Sequence, residues 1–555
     1  SIAILEPPQG RRSFALESFT TGRDWSDLLA GHSREEVAAA LSEWLPTRRW
    51  FRGKARAVQA VTLHEQIDVP MPGQKAFLVL FEVAYAEGEP ELYVAPLMAA
   101  FGPEAQSVTR EWPQMVLAGI SLGSEEGVLY DAIVNKDFCR ALLNLTADQH
   151  KISGHSGQLE AEPTEVLQQV RREHGLNLEP SVGKAEQSNS SIVYKGALIL
   201  KFFRRLDAGI NPELEIERFL TARRFSYSPP LAGALEYHDH NGRTSTVAII
   251  TSFIPGCHDT WEDTLSALEQ FYNRVEELKD GSAAQELPGS IFTSSSAPAG
   301  PATLIGSYLQ DAATLGRRTA ALHLTLASDP DDPAFRPEPW NEEWQRALAD
   351  DLQQLTRENF QLLRQRLPVL APEVTPLAEK TLAQEAAVAA RLRQALQQPV
   401  SAARIRHHGD YHLGQVLHHG SDFLIIDFEG EPAISLDQRR AKQSALRDVA
   451  GMVYSFFYAA NAVVQGRSPR PAVHLPVWAR YWSLWVAASF LRAYLETAGT
   501  APFVPVDQAA FKNMLDAELL RKAIYELGYE LNNRPDWLNI AFQVLLDLLH
   551  PKNPI

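Results

Sequence analysis

Cysteine is almost absent from this 555-residue chain: only Cys139 and Cys257 occur. Two thiols in so long a chain exclude a disulfide framework. Long apolar runs are missing too, and none approaches the roughly 20 residues needed to span a bilayer. The opening "SIAILEPPQGRRSF" lacks the charged start, apolar stretch and cleavage site of a secretory signal. A cytoplasmic protein without a membrane partner is expected. Positive charge is not in excess either. The net charge is −16, so nucleic acid, which rewards clustered Lys and Arg, is not an expected partner. No Walker-type G-x-x-x-x-G-K-[ST] and no internal repeat occur. The first residue is not Met, which fits a processed protein or a piece of a longer polypeptide.

What is present is the composition of a soluble globular protein, 45% hydrophobic and 22% charged, long enough for three or four packed units. Residues 25–45 read as a helix, with Ser33 as N-cap and Glu36 three residues on. Between Val58 and Ala99 three β-like runs alternate with Pro and Gly turns. Helices are expected over 136–150 and 163–174. "NSSIVYKGALILKFFRR" (189–205) reads as two strands joined at Lys195-Gly196. "NPELEIERFLTARR" (211–224) reads as a helix capped by Asn211, with Pro212 first inside it. "STVAIITSFI" (245–254) is a further strand. The Ser/Ala/Gly/Pro-rich stretch 277–301 reads as a loop or linker, after which the chain is mainly helical.

Two regions carry chemistry. Alternation along 198–203 places Lys201 on one face with Ile199 and Phe203, so its ammonium leaves an apolar surface and needs an anion. The following helix offers Glu213, Glu215 and Glu217; Glu215 is preferred as the partner and Glu213 comes next. A strand lysine held by a helix glutamate is how kinases grip the α- and β-phosphates of ATP. Upstream, "QSNSSIVYKG" (187–196) places Ser188, Asn189 and Ser190 where a phosphate-covering turn would lie, although the turn is not Gly-rich. The second region is "RHHGDYHLGQVLHHGSDFLIIDFEGEP" (406–432). Strands 416–419 and 423–426 turn at Gly420-Ser421-Asp422, gathering Asp410, His412, Gln415, Asp427 and Glu429 at one end of a hairpin. In a kinase-type site the first Asp takes the proton of the attacking hydroxyl, and an amide with the later Asp holds magnesium. His407, His408, His418 and His419 offer a transition-metal alternative, but adjacent strand residues face opposite ways. Paired carboxylates also run glycoside hydrolysis, which explains neither Lys201 nor the hairpin.

At these residues the sequence resembles the bacterial maltokinases. "HHGDYHLGQVL", "LIIDFEGEP", "QRRAKQSALRDVAGMVYSFFYAA", "LKFFRRL", "NPELEIERFL", "GRRTAALHLTLA", "PEPW", "WLPTRRWFRGKAR" and "AIYELGYELNNRPDWLNI" carry the resemblance across most of the chain. It implies an α+β, bilobal eukaryotic-protein-kinase-like fold shared with aminoglycoside phosphotransferases. A mostly-β cap (1–110) precedes an intermediate subdomain and N-lobe (111–256) and a helical C-lobe (257–555). The implied activity is ATP-dependent phosphorylation of maltose at its anomeric hydroxyl, giving maltose 1-phosphate for α-glucan synthesis. Maltokinases also occur fused behind trehalose synthase, an implied association. By position, Asp410 is the base, Gln415 and Asp427 are Mg2+ ligands, and Lys201 with Glu215 holds ATP. Residues 250–256, including Ser252, Phe253 and Ile254, form the hinge that meets adenine. Glu429 stands where many kinases have Gly, and is a further metal candidate. His412, Tyr525, Glu526, Tyr529, Glu530 and Arg534 are the acceptor-sugar candidates.

The 277–301 stretch and the N-terminal extension make the chain longer than a typical stand-alone member. The resemblance extends to related sugar kinases, glucosamine kinases among them, so another sugar is the alternative acceptor. A catalytically dead interaction module is a second alternative, opposed by the survival of Lys201, Asp410, Gln415 and Asp427.

Overall fold

The computed structural model describes residues 18–21, 24–183, 189–278, 287–288, 297–397, 400–431, 434–467 and 475–549. These divide into two compact units. One holds residues 2–221 and 229–255, the other 222–228 and 256–555. Three or four units were expected from length. The number falls because the N-terminal sheet and the sheet after it share one core, running from Ile67 and Leu78 through Phe138 and Leu142 to Leu200 and Ile250. Each large side chain buried there contributes about 1.5–3 kcal/mol, and neither sheet can withdraw without exposing it.

In the first unit, β1 (Ser18–Thr21), β2 (Val58–Met71), β3 (Gln74–Tyr85), β4 (Glu91–Phe101), β5 (Val116–Leu122) and β6 (Glu125–Asp131) form a sheet in the order β1-β5-β6-β4-β3-β2. It runs on to Asp131, past residue 110 where the sequence reading ended the cap. The helix Ser33–Trp44 lies on it, burying Val37, Leu41 and Trp44. Its start differs from expectation: Ser33 is the first helical residue, and 25–29 form a separate 3-10 turn capped by Asp24.

The second sheet is β7 (Lys151–Ser153), β8 (Gly157–Pro163), β9 (Pro180–Val182), β10 (Ser190–Tyr194), β11 (Leu198–Phe202), β13 (Leu231–Asp239) and β14 (Thr244–Ser252), ordered β7-β8-β13-β14-β11-β10-β9. The short β12 (Arg205–Leu206) leaves it to pair with β4 of the first sheet. Glu65 faces inward from β2 and accepts backbone N–H groups of His155 and Ser156, a second tie between the two sheets.

The other unit is mainly helical. Tyr308–Leu326 packs along Leu475–Ala498, and Leu446–Gly466 packs on Gln508–Asn533. It carries β15 (Cys257–Asp259), the pair β16 (Glu338–Pro339) and β17 (Ala403–Arg404), and the hairpin β18 (Val416–His419) and β19 (Asp422–Ile425). Of the stretch 277–301 expected as linker, Glu277 ends one helix and 299–301 begin the helix Ala299–Ile305, while 279–286 and 289–296 lie outside the described residues. Among the described residues no helix is long and apolar enough to cross a membrane.

Candidate active site

In the first unit Lys201 sits on β11, opposite Ser191 of β10 and Ile249 of β14. Its Nζ lies 2.8 and 3.0 Å from the two carboxylate oxygens of Glu213, with the Phe203 ring 5.5 Å away. The preferred partner, Glu215, is therefore replaced by Glu213. The cause is helical phase: Asn211 caps the helix through the N–H groups of Glu213 and Leu214, which fixes the first turn. Glu213 and Glu217, four apart, then share the buried face, while Glu215 points away, half-buried. Asn189 and Ser190 enter β10 directly opposite the end of β11; Ser188 lies outside the described residues. Ser252, Phe253 and Ile254 are half-buried, with Phe253 N–H donating to Ala197 O (2.9 Å). The division between the units falls at Pro255/Gly256, next to these residues.

In the second unit the loop 407–412 is held by a buried carboxylate that the sequence reading did not single out. Asp448 accepts the N–H groups of His408 (2.7 Å) and Gly409 (3.0 Å), and its Oδ2 lies 3.0 Å from His323 Nε2. Burial opposes its charge, but His323 and the neighbouring imidazoles hold its carboxyl well below the usual range. Gly409 takes φ +90°, open to glycine without strain. Gly451 lets its helix close on the loop, since a Cβ there would lie 2.5 Å from Tyr411 O. His408 links the loop to the hairpin: Nε2 donates to Ile426 O (2.9 Å) and Nδ1 accepts from Asp410 N–H (3.4 Å).

Asp410 is partly buried, and burial alone would raise its pKa. Lys522, then His412 and His408, hold it below the ordinary value instead. Lys522 Nζ lies 3.5 Å from Asp410 Oδ1 and 2.8 Å from Glu526 Oε1, and the Tyr525 ring stands 5.4 Å from the same ammonium. His412 Nε2 is 3.8 Å from Asp410 Oδ2, and burial lowers its pKa. The Tyr525–Arg534 segment thus splits. Tyr525 and Glu526 cluster with Lys522. Tyr529 is 42% exposed with the Arg534 guanidinium over its ring. Glu530 is fully buried, accepting from Tyr458 (2.9 Å) and Arg534 (2.8 Å). Trp537 stacks on Tyr458 at 5.9 Å.

Ile426 N–H donates to Gln415 O (3.0 Å), bringing the amide of Gln415 and the carboxylate of Asp427 to neighbouring segments. Both are hard oxygen donors of the kind Mg2+ takes, so the donor set fits that ion. Asp427 holds φ +66°, a costly conformation for a residue with a Cβ and one that clusters at functional sites. Glu429 is half-buried beside it, its carbonyl facing Arg439. Glu431 of "DFEGEP" lies within 3.6 Å of Arg447 and Arg521. The four histidines do not converge as a metal site. His407 is buried and its pKa is pushed down to about 3, His408 bonds Ile426, His418 Nδ1 pairs with Asp263 (2.9 Å), and His419 is exposed.

The chain is similar to known phosphotransferases. Residues 44–134 match the maltokinase N-terminal cap domain, and residues 276–430 match the phosphotransferase enzyme family. A glucosamine kinase from Streptacidiphilus jiangxiensis is 24% identical over 367 residues, covering 66% of this chain and 72% of the relative. A second, from Mycolicibacterium smegmatis, is 24% identical over 369 residues, 65% of this chain and 78% of its own. The solved structure of a glucosamine kinase in complex with glucosamine, ADP and inorganic phosphate superposes with TM-score 0.59 at 19% identity, covering 95% of this chain and 99% of that one. The shared fold is the kinase-like one, with a mostly-β cap and a helical C-terminal region.

Proposed function

We propose that this chain, a maltokinase-like protein on a phosphotransferase kinase fold, transfers the γ-phosphoryl group of ATP to the anomeric hydroxyl of maltose, giving maltose 1-phosphate and ADP. One observation carries the reading: a maltokinase-type cap at 44–134 and a phosphotransferase body at 276–430 occur on the same chain. Asp410 accepts the proton of the attacking hydroxyl, and the Lys522 ammonium keeps it ionised for that task. Gln415 and Asp427, with Glu429 beside them, would hold Mg2+, which when bound neutralises charge on the transferring phosphates. In the other unit Lys201, anchored by Glu213, holds the nucleotide phosphates. Ser188, Asn189 and Ser190 cover those phosphates, and Ser252, Phe253 and Ile254 meet adenine.

The acceptor lies against His412, Tyr525 and Glu526, with Tyr529, Glu530 and Arg534 behind them as support for the wall. A cytoplasmic setting, with maltose delivered from trehalose by an associated or fused trehalose synthase, completes the reading.

The relatives named as glucosamine kinases favour a second acceptor, an amino sugar. Its ammonium would seek a free carboxylate, but Glu526 already pairs with Lys522 at 2.8 Å, which favours a neutral sugar. A coupled ADP-release assay with maltose, glucose, glucosamine and trehalose tests both. Maltose should give the highest kcat/KM. Preference for glucosamine would replace the substrate, and ADP release from none would remove the kinase reading.

A further inference from the structure

Arg204, which with Phe203 links β11 to β12, is completely buried. Its Nη1 lies 2.7 Å from Asp131 Oδ2, and both side chains have no exposure. Asp131 ends the last strand of the cap sheet, and its other oxygen accepts Ile133 N–H at 3.0 Å. The guanidinium also lies over the cap's Trp50 ring (5.0 Å) and over Phe202 (5.3 Å). The Arg204 carbonyl accepts Val94 N–H of β4 at 2.8 Å. On its far side, Nε donates to Ser190 Oγ at 2.9 Å. Ser190 opens β10, the strand that faces Lys201.

A buried cation must be paired, and removing a carboxylate that pairs it leaves an unpaired charge that drives the side chain to a new position. Among the described residues the carboxylate paired with Arg204 is Asp131, which the cap supplies. Whatever fixes Arg204 Nε therefore fixes the start of β10. We propose that Asp131, Arg204 and Ser190 form a relay by which the cap positions the nucleotide-binding hairpin, with Arg204 as its positioning residue. The cap then serves nucleotide binding as well as any acceptor selection. This rests on the reading above that Ser190 and Lys201 serve ATP.

Calorimetric binding of ADP to the full chain, with melting curves alongside, tests the relay. Asp131 is fully buried and has no surface to offer a ligand, so any effect of Asp131→Asn on nucleotide must pass through other residues. Arg204→Lys keeps the charge for Asp131 but loses the fork that reaches Ser190, and guards against an Asp131→Asn that fails to fold. Each variant should raise the ADP Kd about fivefold to tenfold, and adding Ser190→Ala to either should raise it by a smaller factor than Ser190→Ala does in the wild-type chain. Multiplying effects in the double variants, or a folded Arg204→Lys within about twofold of wild type, would overturn the relay while leaving the kinase reading intact. A wild-type chain that binds no ADP would overturn both.

Discussion

Lys522 and Asp410 lie 112 residues apart in sequence, yet the ammonium of one stands 3.5 Å from a carboxylate oxygen of the other. A buried lysine beside a carboxylate changes the chemistry of both. Burial disfavours each charge, and each charge restores the other; Glu526 completes the balance by pairing with the same ammonium at 2.8 Å. The helix Gln508–Asn533 thus supplies the cation that faces Asp410 of the loop 407–412.

Asp410→Asn should leave the fold and ADP binding intact and lower turnover by about 10²–10⁴-fold, the usual value of a positioned general base. Steady-state kinetics with a melting curve decide it. Turnover near wild type would remove Asp410 from the mechanism.

Lys522→Met should move the acid limb of the kcat/KM profile to higher pH. The lysine lowers the pKa of Asp410, so without it the base loses its proton only at higher pH. A lower plateau with an unmoved limb would make Lys522 a packing residue only.

Lys201→Met should weaken nucleotide binding, and Glu213→Gln should do the same because it frees the ammonium from its 2.8 Å partner. Glu215→Gln, on the half-buried side of the helix, should change it little. ADP titration of the three variants separates them, and the reverse order would return the role to Glu215.

Asp427→Ala should raise the magnesium concentration needed for half-maximal rate as well as lower the rate, since this carboxylate would hold the ion. An unchanged magnesium titration would sink that assignment.

Asp547→Asn should stabilise the protein at neutral pH. Burial pushes this carboxyl up to about 6, with Gln543 and Arg480 only partly offsetting it. Between about pH 4 and 6 the folded chain holds a proton that the unfolded chain has lost, so stability rises as pH falls through that window. Above it the buried charge costs at most about 3 kcal/mol. The gain in Tm should be largest at pH 7.5 and vanish near pH 4; a gain independent of pH would show that the charge is not its cause.

Much of this molecule is determined locally. Turn chemistry at Lys195-Gly196 and Gly420, the Asn211-Pro212 helix start, and the alternation that sets Lys201 between buried Leu200 and Phe202 are legible from neighbours in the chain, because backbone periodicity and capping act over a few residues. The hairpin between Asp410 and Asp427 was legible for the same reason. What only the tertiary structure decided is which charges meet. The choice of Glu213 over Glu215 depends on the helix's rotation against the sheet. The pairing of Asp131 with Arg204, of Asp448 with the 408–409 amides, and of Lys522 with Asp410 depends on packing of distant segments. Periodicity marks a residue as inward-facing; only the packed core decides which buried charge it faces.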